Sequence, residues 1–119
     1  LAWPKFGGSD ISTGQEVPGA TSMPLLGLGE LITLMDHVQA HLEEVHVPAL
    51  ILHGNQDHTA PPESATELAD RLGSSWIRFV GLDAGYHLLP RDVSRQRVNE
   101  EVLAFARALN EETRRSSEG

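Results

Sequence analysis

The run Ala49–Leu52, ALIL, is apolar without alternation and too short for a helix. Strands buried on both faces read this way, because a parallel sheet carries helices on each side. After an eight-residue polar turn, Pro61 and Pro62 open a segment with Ala65, Leu68, Ala69 and Leu72 at helical spacing. Proline suits the first turn of a helix, where its missing N–H costs nothing. Gly73 is expected as the C-terminal cap of that helix. WIRFV, Trp76–Val80, then reads as a second strand. Strand, helix, strand with a crossover of this length is a βαβ unit, nearly always right-handed. The chain is thereby placed in the α/β class, and the loops following both strands open on one edge of the sheet.

The flanking segments are less constrained. Leu31, Leu34, Met35, Val38 and Leu42 form an apolar stripe that predicts a helix over 30–44, with Glu30, Asp36 and Glu43 off the stripe. Residues 1–24 are rich in Gly, Pro, Ser and Thr, with Pro18 and Pro24 as breakers, and read as extended loop. A last helix is predicted over 93–109 with Val98, Val102, Phe105, Ala106 and Leu109 inward, followed by a polar, frayed tail over 110–119. Two parallel strands do not make a stable sheet by themselves. The expected organisation is therefore an incomplete domain, with a lid-derived or connecting loop over 1–29, a core over 30–109 and the tail.

Charge narrows the partners. With 17 acidic against 9 basic residues the formal net charge is −8, which argues against a phosphate backbone as partner. No cysteine is present, as suits a reducing compartment, and no apolar run approaches the roughly 18–20 residues of a membrane span. No basic-then-apolar signal segment stands at the start, so a cytoplasmic location is expected. The first residue is Leu1, and a translation start further upstream is expected.

The stretch HGNQDHTAPP, His53–Pro62, sets two histidines and an aspartate directly behind a buried strand. A metal site, part of a catalytic triad and a plain polar turn are the competing readings. Asp57 lies five residues past Leu52, and His87 lies seven past Val80. On a shared sheet edge these side chains can meet. A carboxylate beside an imidazole is the orienting pair of nucleophilic catalysis: it fixes the tautomer and stabilises the imidazolium. Asp83 is a competing carboxylate nearer to His87 in sequence, expected as a turn former. His53 is expected to be structural and His58 to support the turn. For the metal reading, HGNQDH is similar to the H-x-H-x-D-H signature of metallo-β-lactamase-type hydrolases, with Asn55 in place of the middle histidine. Only His53, Asp57 and His58 folded together would supply three ligands. His37 and His41, four residues apart on the first helix, read as two exposed histidines.

VPALILHGNQDHTAPP followed by GLDAGYHLLPRD and a final amphipathic helix resembles the C-terminal end of an α/β-hydrolase, closest to the bacterial carboxylesterase and monoacylglycerol-lipase group. That group presents a Gly-x-x-Asp turn with His-x-x-Pro-Pro after a strand, matched by Gly54, Asp57, His58, Pro61 and Pro62. A Ser-Gly-His or Ser-Tyr-His loop follows, matched by Tyr86 and His87, with Asp92 behind. GGSDI, Gly7–Ile11, resembles the stretch that follows the lid. The resemblance implies that Asp57 is the triad acid and His87 the triad base. The sequence departs from the pattern at Ala84, Gly85 and Arg91, none of which touches that assignment.

The nucleophile is missing. No Gly-x-Ser-x-Gly elbow occurs; GGSDI and LGSSW lack the second glycine, and Ser64 falls inside a helix pattern. The oxyanion loop is absent as well. The resemblance thus implies a carboxylic ester hydrolase, acting on an ester or monoacylglycerol without a cofactor, of which this chain supplies Asp57 and His87. The expected partner is the N-terminal half of the same hydrolase, or a second copy. The alternative is a non-catalytic interaction module.

Overall fold

The structure is a computed structural model that describes residues 2–4, 9–14, 19 and 22–118. Its centre is the βαβ unit. Strand β3, Ala49–Gly54, pairs in parallel with β4, Ile77–Leu82, in the register Ala49↔Ile77 through Gly54↔Leu82. The crossover is helix α2, Pro62–Arg71, with Pro61 as its extended N-cap. Both strands run two residues further than their apolar stretches, so His53–Gly54 and Gly81–Leu82 are ladder residues and the polar loops begin later. Ladder pairing continues across His53, Gly54 and Gly81, because the backbone groups bond whatever the side chain, and carries β4 on to Leu82.

Two helices, each with a 3₁₀ turn, frame the unit. Helix α1, Leu25–Ala40, leads through a short 3₁₀ turn at Leu42–Glu44 into β3, and helix α3, Arg95–Ser117, follows a second 3₁₀ turn at Leu89–Arg91. Leu82, Leu89 and Val98 form a buried cluster against which Leu52 and Val80 pack. The cluster lies just behind the sheet edge from which the two polar loops emerge. It anchors the second loop at Leu89. On the far side, the Arg71 guanidinium caps the Gln39 carbonyl at the end of α1 and pairs with Glu67 one turn back.

Several expectations need correction. Helix α1 begins at Leu25 rather than near Glu30, Pro24 being its extended N-cap. Its stripe does not point into a core of this chain: Leu31, Leu34, Met35 and Val38 are 46–57% exposed, and only Leu42, in the 3₁₀ turn, is buried. Within 1–24, read as loop, Ala2–Pro4 (β1) and Ser22–Pro24 (β2) pair antiparallel. Three-residue strands are too short to show alternation. Gly73 has no positive φ and is not a left-handed cap. It is glycine because a Cβ there would stand 2.0 Å from the Glu43 carbonyl oxygen and 2.8 Å from the His46 ring. The residues 110–117 are helical, as the polar NEETRRS run contains good helix formers and Thr113 donates back to the Leu109 carbonyl. On α3, Val98 is buried and Phe105 half-buried against Trp76, whereas Val102 and Ala106 are exposed. The sequence of GGSDI is described from Ser9 onward; Gly7, Gly8 and Pro18 lie outside the described residues.

Among the described residues neither β3 nor β4 has a second strand neighbour. Between α1 and α2 an apolar groove of about 370 Å³ is lined by Leu34, Met35, Val38, Leu42 and Leu68, with Ser64 and Glu67 at its rim. No described helix is long and apolar enough to cross a membrane.

Candidate active site

Because β3 and β4 are parallel neighbours in register, the loops after Gly54 and Leu82 start side by side. They are stitched together. Asn55 N–H donates to the Leu82 carbonyl at 3.0 Å, Gln56 N–H to the Gly85 carbonyl at 2.9 Å, and the Asn55 amide to Asp83 Oδ1 at 2.8 Å. Asp83 is therefore occupied by Asn55. His87 turns to Asp57: its Nδ1 lies 3.0 Å from Asp57 Oδ2.

The Asp57 side chain is 5% exposed and its carboxylate is fully engaged. Oδ1 accepts the Thr59 and Ala60 N–H groups, each at 2.8 Å, in a turn closed by the aspartate itself. Oδ2 faces His87. Burial pushes the carboxyl pKa up, but the hydrogen bonds from Ala60, His87 and Thr59 outweigh it and hold the group below its ordinary value of 3.8. An ionised carboxylate accepts only, so His87 Nδ1 carries a proton, and in the neutral ring that tautomer leaves the lone pair on Nε2. The His87 side chain is 42% exposed, while Asp57 behind it is buried.

The remaining histidines are otherwise engaged. His53 Nε2 donates to the Ala60 carbonyl at 3.1 Å and stays 3.7 Å from Asp57 Oδ2. His58 turns away to Asp10, which accepts its backbone N–H at 2.8 Å and its Nδ1–H at 3.0 Å. The three donors of the metal reading, His53, Asp57 and His58, do not converge, and no group of three or more such side chains among the described residues could hold a metal ion. His41 Nδ1 bonds the His37 carbonyl, with the two rings 4.3 Å apart.

Sequence reasoning noted GGSDI for its resemblance to the stretch after the lid and gave Asp10 and Ser12 no role. Asp92 is almost entirely buried. Its carboxylate accepts the Ser12 N–H at 2.9 Å, the Ser12 hydroxyl, and the Val93 N–H at 2.7 Å. Ser12 and Asp92 are 80 residues apart, and no local period links them.

Comparison with known proteins decides the family. The model of the family described as serine aminopeptidase, S33, matches residues 20–94, more than half of the chain and both loops of the site. The chain belongs to this α/β-hydrolase family. The S33-family chain is also similar to the thermostable monoacylglycerol lipase of Bacillus sp. (strain H-257), at 30% identity over 82 residues, 69% of this chain and 33% of that protein. A solved structure from work on LipS and LipT, two metagenome-derived lipolytic enzymes, superposes with a TM-score of 0.81 at 26% identity, covering 90% of this chain and 44% of that one. The S33-family chain thus spans a third of the curated relative and less than half of the solved structure. Its parallel strands and flanking helices are a portion of the α/β-hydrolase fold.

Proposed function

We propose that this chain carries the acid and the base of a carboxylic ester hydrolase of the esterase or monoacylglycerol-lipase type, Asp57 and His87, and that the serine nucleophile lies on a part of the protein outside this sequence. The observation that carries the proposal is the Asp57–His87 contact at 3.0 Å, with the other carboxylate oxygen held by two backbone N–H groups. Such an aspartate orients the imidazole and stays ionised while the imidazole becomes charged. In the proposed step His87 Nε2 takes the serine hydroxyl proton as Oγ attacks the acyl carbon. The same proton then passes to the leaving alcohol, and water repeats the sequence to free the acid. The lipolytic names of the two similar proteins support an ester as substrate.

The partner follows from packing. The stripe of α1, half-exposed Phe79 and the outer edges of β3 and β4, which have no strand neighbour among the described residues, leave apolar side chains and backbone groups that a neighbouring part of a domain covers. The N-terminal half of the same hydrolase is proposed to cover them, with the segment 1–29 as the connection or lid-derived stretch. The absence of cysteine suits the cytoplasm as site of action.

Mixing the purified chain with the N-terminal half and assaying a short-chain p-nitrophenyl ester tests the proposal. Activity on mixing, with a covalent serine-hydrolase probe labelling the N-terminal half only, is the expected result. A monomeric, cooperatively unfolding chain that gains no activity from the other half would overturn it.

A further inference from the structure

Asp10 touches both loops of the site at once. Its carboxylate accepts the backbone N–H and the Nδ1–H of His58, the residue after Asp57, at 2.8 and 3.0 Å. Its backbone carbonyl accepts the N–H of Leu88, the residue after His87, at 3.4 Å. The strap that carries it is itself fixed, since Ile11 is buried and Ser12 is bound twice by Asp92. The Asp57–His87 contact joins side chains on two separate loops, and the sheet together with the Asn55–Asp83 and Gln56–Gly85 hydrogen bonds fixes those loops only on the strand side of Asp57 and His87. The far ends meet at Asp10.

From this bridging geometry we infer that Asp10 is a positioning residue for the reaction: acting through His58 and Leu88, it holds the aspartate loop and the histidine loop at the separation the Asp57–His87 contact requires. The inference rests on the reading of Asp57 and His87 as acid and base. Its physical basis is the steep distance dependence of a preorganised constellation, in which a misplacement of about 1 Å can cost about 10²-fold in rate. His58 gives Asp10 two donors, and these hydrogen bonds keep its carboxyl below the ordinary value although burial, the largest influence, pushes it up. An uncharged amide can fill the same place: an asparagine oxygen accepts the His58 N–H, and its NH₂ donates to Nδ1 once the ring changes tautomer.

The test uses the complete hydrolase that contains this chain, with p-nitrophenyl butyrate as substrate. D10A is expected to lower kcat by about 10- to 100-fold with KM nearly unchanged, and D10N to recover most of that loss. A loss that is merely structural would lower the amount of folded, probe-reactive enzyme and leave kcat per labelled site alone. Unchanged kcat per site in D10A, or an equal loss in D10N, would overturn the inference. Should D10A fail to fold, D10E decides, since a carboxylate one methylene further along must push the loops apart; unchanged kcat in D10E overturns the inference too. D57N is run alongside. If D57N is inactive while D10A is normal, only the role of Asp10 falls; if D57N is fully active, the acid–base reading itself falls.

Discussion

Gly54, the last residue of β3, and Gly85, in the loop after β4, lie backbone against backbone. A Cβ on Gly54 would stand 2.3 Å from the Gly85 carbonyl oxygen and 2.5 Å from its carbon, and one on Gly85 would stand 3.0 Å from the Gly54 Cα. That approach lets Gln56 N–H reach the Gly85 carbonyl and brings the starts of the two loops together. Neither atom is the end of a flexible side chain, so nothing can yield cheaply. Gly54→Ala is expected to destabilise the fold by at least about 1–3 kcal/mol, the usual cost of overpacking. A shift of the denaturant midpoint at unchanged slope checks it; a midpoint within error of wild type would contradict the close approach.

Asp57→Asn in the complete hydrolase is expected to cut turnover by up to about 10⁴-fold, the scale of losing a triad acid, because an amide can hold His87 in the wrong tautomer. His87→Ala is expected to do as much. Circular dichroism should show both variants folded. Ester hydrolysis that survives either change would remove the two residues from the mechanism.

Acid should unfold this chain through three aspartates. Asp10, Asp57 and Asp92 all lie below the ordinary value of 3.8: in each, burial raises the pKa and hydrogen bonds, from His58, from Ala60 and His87, and from Ser12 respectively, outweigh it. Between the folded and unfolded values the unfolded state binds more protons, so stability rises with pH there. Their contribution is fully present above about pH 4 and is lost as pH falls through the folded values. Unfolding followed from neutral pH to about pH 2 should show this fall, and Asp92→Asn should flatten it. An unaltered profile in that variant would show that the Ser12 hydrogen bonds do not stabilise the ionised form.

Glu101 of α3 is buried at 4% side-chain exposure between two half-exposed arginines, Arg78 of β4 at 2.6 Å and Arg97 at 2.5 Å. The carboxylate is the costly partner to strand, since either arginine can return to water. Arg78→Met is expected to cost about 1–3 kcal/mol, the range for a charged hydrogen bond left unmade. Adding Glu101→Gln to that variant should restore part of the loss. A double-mutant cycle measures the coupling; strict additivity would contradict it.

How much of this was legible in the sequence depends on the range of each signal. The βαβ unit is local: the short apolar run ALIL, the Pro-opened helix with its apolar spacing and WIRFV are each recognisable within a few residues, and parallel pairing then sets Asp57 and His87 on one edge. The ends of elements were less legible. Strands ran on across His53, Gly54 and Gly81 because hydrogen bonding does not need apolar side chains, β4 thereby reaching the core residue Leu82, and α3 ran on to Ser117 because polar residues propagate a helix already started.

The sequence by itself determined the α/β class, the order of the strands and the pair of titratable residues behind them, because these follow from periodicity and from proline and glycine within a few residues. Only the tertiary structure decided that His87 faces Asp57 while Asp83 is taken by Asn55, that His58 belongs to Asp10, that Ser12 ties down Asp92, and that the stripe of α1 stays uncovered by this chain. Each of these joins residues from 28 to 80 positions apart or depends on what lies against a helix face. Such contacts come from packing across the whole fold, and no local pattern of side chains encodes them.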